Sequence, residues 1–460
     1  MMKRFAAILL AITALCSCVH DYIAWEGNGS ATPPIGNDDP DKVNWSKAVD
    51  YIFDENVIPE IHVSVSQDEW NRLLQLYDKD NTTREYVHCD VIYIKGKETT
   101  RIPDSGLRLK GNTSRRRPQK GEKFRHVHFG LNFHHYNQDP QHTLKGMRRV
   151  DLKWFKDDPA YVREVYCYDL FRREGVWTAV HDVYCRLWLK VGEGEEMYYG
   201  VYGMLEHIDK NYLRIRDKEF GSHGGNLWKC YWKSTLKDVN ASMGVKGDVY
   251  ELKTNEETGE SAAKEQLRSF IKNLNNLGGS EFDAWISSHM DVDLFLKTLA
   301  VNVAVGMWDD YWNNSNNFYL YFNTTDKENY QVWFIPYDYD NTLGTMKQLG
   351  VQSDACRQNP LKWGDSSYPL TVKILQNSTW KSTYIKYLKE LCAGNFSASA
   401  SAGRIRKWQD MIGRYVSNDT GEDMSISDEP ASWSNHREYR LLDNGSNNFF
   451  QVKASVVNAL

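Results

Sequence analysis

The 460-residue sequence lacks the features that mark several protein classes. Its formal net charge is only −5, so no nucleic-acid-binding surface is expected. None of its eight cysteines shows a Cys-x-x-Cys or Cys-His spacing, which argues against a zinc site. Beyond the first 18 residues, no apolar run is long enough to cross a bilayer as a helix. The phosphate-binding patterns Gly-x-x-x-x-Gly-Lys-Ser/Thr and Gly-x-Gly-x-x-Gly are also absent.

What the chain does contain is typical of a globular protein. It is 41% hydrophobic and 25% charged, which excludes a disordered chain. Its aromatic content of 13% suits either an aromatic core or surfaces that stack on carbohydrate. Six cysteines lie after residue 18; an exported location permits disulfides, whereas apolar surroundings favour buried free thiols.

The first 18 residues read as a targeting segment. A basic start precedes an apolar run at 5–15 that is too short for a mature membrane span, as in a signal peptide. The run ends in Leu-Cys-Ser-Cys, which resembles a bacterial lipobox with Cys18 as the lipidated residue. Cys16 is an alternative acceptor, and ordinary secretion without a lipid is another. A lipid at Cys18 would anchor an otherwise soluble domain to the membrane.

Composition divides the remainder of the chain. Residues 19–45 are rich in Gly, Pro, Asn and Asp and predict a flexible spacer. Strand-like alternation begins at 58–65, where Ser66 is placed to cap a helix with Glu69 at the capping-box position. Helical spacing recurs at 160–174 and 292–306, and the second of these stretches is apolar on nearly every side, which predicts a buried helix.

The stretch 306–344 carries a dense set of acidic and amide residues. Two short apolar strands are predicted in it, at 318–322 and 332–337, with a polar turn between them. The polar side chains crowd the two outer ends of this hairpin: Asp309, Asp310, Asn313, Asn314, Asn316, Asn317, Asp338, Asp340 and Asn341.

Strand register decides whether the two polar groups meet. If Asn323 lies opposite Gln331, Asn317 falls opposite Tyr337 or Asp338 at the open end of the hairpin. Asp338 is two residues from Asp340, so extended backbone would place both carboxylates on one face. Oxygen ligands from two segments suit Mg²⁺. The alternative is that these residues only cap and turn the backbone.

These residues also carry a family resemblance. The segments WDDYWNNSNNFYLY at 308–321 and FIPYDYDNTLG at 334–344 resemble the spore coat protein H kinases, an atypical protein-kinase-like family. LRLKGNTSRRRP at 107–118 is similar to that family's Arg-Gly-Asn-Ser-Ser-Arg motif. YYGVYGMLEHID at 198–209 is similar to its Gly-x-Tyr-x-x-x-Glu stretch. The three motifs occur in the family's order.

The resemblance implies a fold and a domain plan. The expected fold is α+β: a bilobed, atypical kinase-like unit with antiparallel sheets and buried helices at 46–345. A helical C-terminal region at 346–460 would pack on it. The HRD and DFG motifs of ordinary kinases are absent, so these expectations rest on this family alone.

The resemblance also implies roles for individual residues around ATP and Mg²⁺. Asp309 is the candidate base, with Asp310 as competitor because the spacing to Asn317 is longer than in many members. Lys110 stands where the family often has Arg. The candidate metal ligands are Asn317, Asp338 and Asp340, and the candidate nucleotide-side residues are Arg115, Glu206 and Lys229.

Each nucleotide-side residue has an alternative interpretation. Arg115 lies in a basic loop at 111–125 that could cover phosphates or could simply be solvated. Glu206 could orient Lys229, as the Lys–Glu pair does in protein kinases, or be a surface carboxylate.

Two functions from different classes fit these observations. One is an exported, lipid-anchored kinase of the bacterial cell envelope that phosphorylates a protein hydroxyl. The other is a non-catalytic surface module, with a cell-surface partner or glycan contacted through its Trp and Tyr residues. The acidic residues favour the kinase, whereas export, away from cytoplasmic ATP, favours the module.

The leader predicts membrane anchoring through Cys18. Cys18→Ser should move the protein from the membrane fraction to the soluble fraction, because a single acyl-bearing residue is removed. Fractionation and mass spectrometry of the N-terminal peptide measure this, with Cys16→Ser as the matched control. A membrane-bound Cys18→Ser variant together with an unacylated parent would refute the prediction.

Overall fold

The computed structural model describes residues 43–257, 259–344, 354–431, 438–443 and 445–460. The predicted leader with Cys18 and nearly all of the predicted spacer lie outside these residues. The first described helix begins at Trp45, the last residue assigned to the spacer. No helix within the described ranges has both the length and the apolar character needed to cross a membrane.

The strands of the described residues fall into two main sheets and a small hairpin. They are β1 (Glu60–Val65), β2 (Val87–Lys95), β3 (Glu98–Leu109), β4 (Gln119–Lys120), β5 (Lys123–Phe124), β6 (Phe129–Asn132), β7 (Arg149–Lys153), β8 (Asp182–Val191), β9 (Met197–Glu206), β10 (Asn226–Cys230), β11 (Met243–Gly244), β12 (Tyr250–Leu252), β13 (Phe318–Phe322) and β14 (Val332–Pro336).

The α-helices lie mainly in the second half of the chain. They are α1 (Trp45–Ile52), α2 (Gln67–Lys79), α3 (Arg163–Arg173), α4 (Lys210–Ile215), α5 (Asp217–Phe220), α6 (Glu260–Asn276), α7 (Gly279–His289), α8 (Val292–Ala304), α9 (Tyr311–Asn314), α10 (Pro369–Gln376), α11 (Ser378–Ala393), α12 (Ala398–Ile412) and α13 (Phe449–Asn458).

Seven strands close into a barrel in the order β1-β2-β3-β6-β7-β9-β8. Neighbouring strands are antiparallel except β8 and β1, which close the barrel in parallel. Alternate residues such as Leu109 and Leu152 are buried in the barrel core. Strand alternation therefore turns Lys110, Asp151 and Lys153 to the outer surface.

The strand and helix predicted near the start of the barrel are confirmed. The residues of β1 alternate between partly exposed and buried, as a half-buried strand requires. Ser66 Oγ accepts a hydrogen bond of 3.2 Å from the backbone N–H of Glu69, which caps the start of α2. This satisfies one of the N–H groups that the first turn of a helix leaves free.

The second sheet has the order β11-β12-β10-β13-β14. β13 and β14 form the predicted hairpin, and β10 pairs antiparallel with β13, which sets Lys229 opposite Tyr319. α8 packs against β14 and α11, and most of its side chains are buried, as its apolar sequence predicts. One face of this sheet meets the outer surface of the barrel, where Lys153 of β7 forms an ion pair with Asp338 just after β14.

The region between the outer surface of the barrel and the second sheet is called the central cleft below. The barrel contributes Lys110, Asp151 and Lys153 to it. The second sheet and its flanking loops contribute Lys229, Asn317, Asp309, Asp338 and Asp340.

The C-terminal region is helical and joins the larger of the two cores. α11 packs on α8 and α13, and α13 also contacts α12. The segment that follows α12 crosses to the barrel, where the Asp419 carboxylate accepts from Tyr198 N–H at 2.7 Å and Glu422 pairs with Arg116. The C-terminal helices and the barrel are therefore tied together by polar contacts as well as by apolar packing.

The predicted α+β class is confirmed, with mostly antiparallel pairing and helical packing at the C-terminus. The closed seven-stranded barrel was not predicted, because strand order and closure depend on contacts between distant segments. Each of the six cysteines in the described residues is buried and free. The apolar environment therefore accounts for them, without disulfides.

Candidate functional site

The β13–β14 hairpin brings the two polar groups together in the predicted register. Phe318 pairs with Pro336, and the Asn323 N–H donates to the Gln331 carbonyl at 3.0 Å. Asn317 precedes β13 and Asp338 follows β14, both with left-handed backbone (φ 55° and 63°). Asn and Asp tolerate this conformation better than most residues. These two turns direct both segments into the central cleft.

The carboxylate of Asp309 is held by three asparagine side chains that follow it. Asn316 Nδ2 donates to Oδ1 at 3.1 Å, Asn317 Nδ2 donates to Oδ2 at 2.9 Å, and Asn314 Nδ2 also donates to Oδ1. Burial raises the pKa of Asp309 to about 6, and the negative charge of Asp338 adds to the shift against these hydrogen bonds. Asp309 is thus an oriented, partly exposed carboxylate at the cleft.

The competing residue Asp310 has a structural role instead. Its Oδ1 accepts from the Asn313 N–H at 2.7 Å and caps α9, and its Oδ2 accepts from Asn302 Nδ2. It is 5% exposed, and burial raises its pKa to about 7. Tyr339 donates to Asn302 in turn, so Asp310 belongs to a buried polar network. Of the two adjacent aspartates, only Asp309 is open to the cleft.

Lys153 at the end of β7 links three acidic side chains across the cleft. Its Nζ lies 2.6 Å from Glu164 Oε2, 2.5 Å from Asp338 Oδ1 and 3.5 Å from Asp340 Oδ2. Glu164 comes from the first turn of α3. The ammonium therefore joins the barrel, a buried helix and the turn after β14.

The charges of these side chains shift one another's pKa values. Burial alone would raise the pKa of Asp338, but Lys153 holds it below its ordinary value. Burial raises the pKa of Asp340 to about 7, and repulsion from Asp338 and Asp309 adds to it. Burial likewise raises the pKa of Glu164 well above its ordinary value, against the attraction of Lys153. The cleft holds more negative charge than Lys153 alone can neutralise.

Lys229 lies in the cleft among three tyrosine rings. Its Nζ lies 4.7 Å from the ring centre of Tyr337, 4.9 Å from Tyr231 and 5.8 Å from Tyr319. Among the residues that the structure describes, no carboxylate comes within ion-pair distance of it. Burial lowers the pKa of Lys229 to about 7, and the nearby Lys110 contributes to the shift. An anion entering the cleft would find this ammonium available.

Lys110 crosses β6 to reach its partner on β7. Its ammonium pairs with Asp151, and His207 Nδ1 lies 2.9 Å from the same carboxylate oxygen. The stem of Lys110 lies over Gly130, where a Cβ would come within 3.1 Å of the lysine Cδ. Gly130 thus leaves room for the lysine stem, which would have to shift slightly if a side chain were added there.

Comparison with known proteins identifies the family. The family model described as CotH kinase protein matches residues 107–443, most of the chain. The chain belongs to the CotH kinase protein family. A similar relative is the inner spore coat protein H of Bacillus subtilis (strain 168), 23% identical over 275 residues that cover 60% of this chain and 70% of the relative. The family match continues beyond the three motifs, which end at 344, into the C-terminal helices.

Glu206 does not contact Lys229 in this CotH-family chain, so the predicted pairing is wrong. Its carboxylate is fully buried and accepts from Arg216 Nη1 at 2.6 Å and Nη2 at 2.8 Å. His181 Nδ1 lies 2.9 Å from Oε2. The cleft lysine that has a glutamate partner is Lys153, and that partner is Glu164.

Sequence reasoning missed Lys153 and Glu164, although a signal for them was present. Lys153 ends strand β7, and Glu164 lies in the first turn of α3, the next helix along the chain. That arrangement matches the Lys–Glu pair of protein kinases more closely than Lys229 with Glu206 does. Glu206 lies inside the motif at 198–209, and this is why the sequence favoured it as the glutamate of the pair.

Arg115 is engaged by hydrogen bonds to backbone carbonyls of the protein itself. Its guanidinium donates to the backbone carbonyls of Asn81 (3.0 Å), Thr83 (2.7 Å) and Leu109 (3.2 Å). Its neighbour Arg116 stacks on Trp154 at 4.3 Å. Arg115 and Arg116 therefore hold the basic loop against the barrel.

The donor set of the cleft suits Mg²⁺ in combination with a phosphate. In the described ranges, no group of three or more His, Cys, Asp or Glu side chains is arranged as a metal site, so the Asn317 amide or a ligand oxygen would have to complete the donor set. Mg²⁺ usually takes one or two carboxylates together with water and substrate phosphates. Asp338 and Asp340 supply two carboxylates, and the Asn317 amide, whose nitrogen is bound to Asp309, offers its oxygen. These residues fit the ion.

The Glu206–Arg216 ion pair generates a stability prediction. Arg216→Met should lower the free energy of unfolding by about 3–5 kcal/mol, because it leaves a buried carboxylate without its main partner. Since Arg216 outweighs burial and depresses the pKa of Glu206, the contribution is present above the ordinary glutamate pKa and is lost as the pH falls.

Denaturant unfolding at neutral pH measures this effect. The matched control is the double variant Glu206→Gln/Arg216→Met, which removes both charges and should recover part of the loss. A single variant as stable as the parent would show that the ion pair does not stabilise the fold.

Proposed function

We propose that the central cleft transfers the γ-phosphoryl group of ATP to a protein hydroxyl in a Mg²⁺-dependent reaction. The observation that carries the proposal is the position of Lys153, whose ammonium contacts Glu164 of a helix and Asp338 of the acidic turn. In protein kinases the ion pair between a strand lysine and a helix glutamate must be in place next to a metal-binding aspartate. Membership in a family described as kinases supports the same reaction.

Asp338, Asp340 and the Asn317 amide oxygen would hold Mg²⁺. When bound, the ion neutralises charge on the β- and γ-phosphates. Lys229 is the proposed phosphate ligand, because its ammonium is not engaged by a carboxylate and lies within electrostatic range of Asp338. Tyr231, Tyr319 and Tyr337 shield this ammonium from water, which strengthens its attraction for an anion.

Asp309 is the proposed base. Asn314 and Asn316 occupy its Oδ1, and Asn317 occupies one acceptor position of Oδ2. A second acceptor position of Oδ2 can take the proton of an incoming hydroxyl. As the hydroxyl oxygen bonds to phosphorus, the bond to the leaving ADP oxygen breaks and the hydroxyl proton passes to Asp309.

The proposed location is the bacterial cell envelope, with a lipid anchor at Cys18 and a protein phosphoacceptor. The relative from Bacillus subtilis is named as an inner spore coat protein, and a coat is an outer layer, which supports a location in an outer layer of the cell.

The positions of the aromatic side chains do not favour the alternative of a glycan-binding module. Most of the aromatic side chains are packed in the two cores, and Trp232 is the large aromatic residue in the described ranges that is strongly exposed, at 58%. A single exposed tryptophan does not make a carbohydrate-stacking surface. The kinase proposal is therefore the one that the cleft favours.

The proposed roles predict different defects in the three aspartate variants. Asp338→Ala and Asp340→Ala should weaken binding of Mg-ATP and also abolish transfer, because both remove a metal ligand. Asp309→Ala should bind Mg-ATP normally and lower turnover by a factor of about 10²–10⁴, as expected for a general base. Calorimetric titration and a phosphate-transfer assay measure the two effects separately.

Asp310→Asn is the matched control for the base assignment, with its folding checked by thermal unfolding. It should keep most of the activity, because Asp310 faces a buried network. Equal loss of Mg-ATP binding in all three alanine variants would remove Asp309 as the base. Full transfer activity in all three would refute the kinase proposal.

A further inference from the structure

The Lys153 ammonium occupies the position between the two proposed metal-binding carboxylates. It lies 2.5 Å from Asp338 Oδ1 and 3.5 Å from Asp340 Oδ2. A divalent cation bound by the same oxygens would stand within a few ångströms of Nζ, where two positive charges repel strongly. Lys153 therefore competes with any cation that binds between Asp338 and Asp340.

A cavity of about 10 Å³ lies beside Lys153, with room for roughly one water molecule or one ammonium group. Its polar lining includes Glu164, Asp182 and Asp340. Asp158 also lines it, but that carboxylate is already engaged by the side chain and backbone N–H of Arg163.

Asp182 has one carboxylate oxygen without a hydrogen-bond donor. It is 2% exposed, and its Oδ1 accepts no hydrogen bond from the protein, although Lys153 lies within electrostatic range. A buried carboxylate oxygen without a donor is costly. Asp182 is therefore placed to accept a hydrogen bond from a cationic group that enters the cavity.

The strand register brings Lys153 within reach of this carboxylate. Lys153 on β7 lies opposite Gly203 on β9, at a Cα separation of roughly 4.5–5.5 Å for an antiparallel pair. A Cβ at Gly203 would come within 3.1 Å of Asp182 Oδ1. Because Gly203 has no side chain, the space between Lys153 and Asp182 is open.

We propose that Asp182 is a positioning residue for Lys153, accepting its ammonium when Asp338 and Asp340 bind a divalent cation. Lys153 keeps Glu164 as a partner in both positions and exchanges Asp338 and Asp340 for Asp182. The exchange supplies the buried Asp182 with a donor and frees the metal ligands. It rests on the metal-binding part of the proposed function and does not require that phosphate is transferred.

A double-mutant cycle with Mn²⁺ alone, without nucleotide, tests the exchange on the full-length protein. Lys153→Met should tighten Mn²⁺ binding by about tenfold or more, because a competing cation is removed. Asp182→Asn should weaken Mn²⁺ binding about fivefold or more in the parent, yet change it less than about twofold in the Lys153→Met background. Electron paramagnetic resonance of free Mn²⁺ gives the affinities.

Comparing the effect of Asp182→Asn in the parent and in Lys153→Met separates a positioning role from a simple charge effect. If Asp182→Asn weakens Mn²⁺ binding equally in both backgrounds, Asp182 acts only through space and the proposal is wrong. If Lys153→Met fails to tighten Mn²⁺ binding, the lysine is not a competitor and the proposal is also wrong. Asp157→Asn, which removes a carboxylate beside the cavity residue Lys156, is the matched control and should have little effect.

Gly203→Ala provides a second test that changes no charge. Its added Cβ closes the space beside Asp182, so it should weaken Mn²⁺ binding as Asp182→Asn does, and it serves if Asp182→Asn fails to fold. Parent-like Mn²⁺ affinity in Gly203→Ala would overturn the exchange. A protein that shows the complete cycle but transfers no phosphate would refute the proposed function and leave the exchange intact.

Discussion

The architecture of the cleft depends on the ion pairs of Lys153. One ammonium holds the end of a barrel strand to Glu164 of α3 and to Asp338 after β14. The side chains of Lys153 and Glu164 are largely buried, whereas that of Asp338 is 36% exposed, so breaking the Lys153–Glu164 pair would be the costly step. The relative positions of the barrel, the helix and the acidic turn are therefore coupled through one side chain.

The rest of the protein supports these groups with rigid elements. α8 is buried on nearly all sides and ends just before the loop that carries Asp309. A backbone hydrogen bond of 2.7 Å from Leu343 N–H to the Val305 carbonyl ties the end of that helix to the turn after β14. Phe449 of α13 lies against both Gly306 and Gly344, where an added Cβ would come within 3.3 and 3.5 Å of its ring. The C-terminal helices thus contribute to the geometry of the cleft.

The balance of charge in the cleft has a chemical consequence. Burial raises the pKa of Asp340 and of Asp309, and repulsion from neighbouring aspartates adds to both shifts. Lys229 lies on the same sheet as these acidic groups, and burial lowers its pKa. Among the described residues it has no carboxylate within ion-pair distance, so the cleft combines acidic groups with an ammonium that can attract an anion.

Local sequence determined those features that depend on neighbours along the chain. The β13–β14 hairpin and its register, the Ser66 cap of α2 and the buried α8 could all be predicted, because periodicity and capping act over a few residues. The hairpin register was also enough to predict that the residues just before β13 and just after β14 lie at the same end of the hairpin. Only the tertiary structure decided which charges pair, namely Lys153 with Glu164 and Glu206 with Arg216. It also decided that Asp309, and not Asp310, is open to the cleft. Those pairings, like closure of the barrel, depend on how elements distant in sequence pack and which side chains they turn inward, which no local pattern encodes.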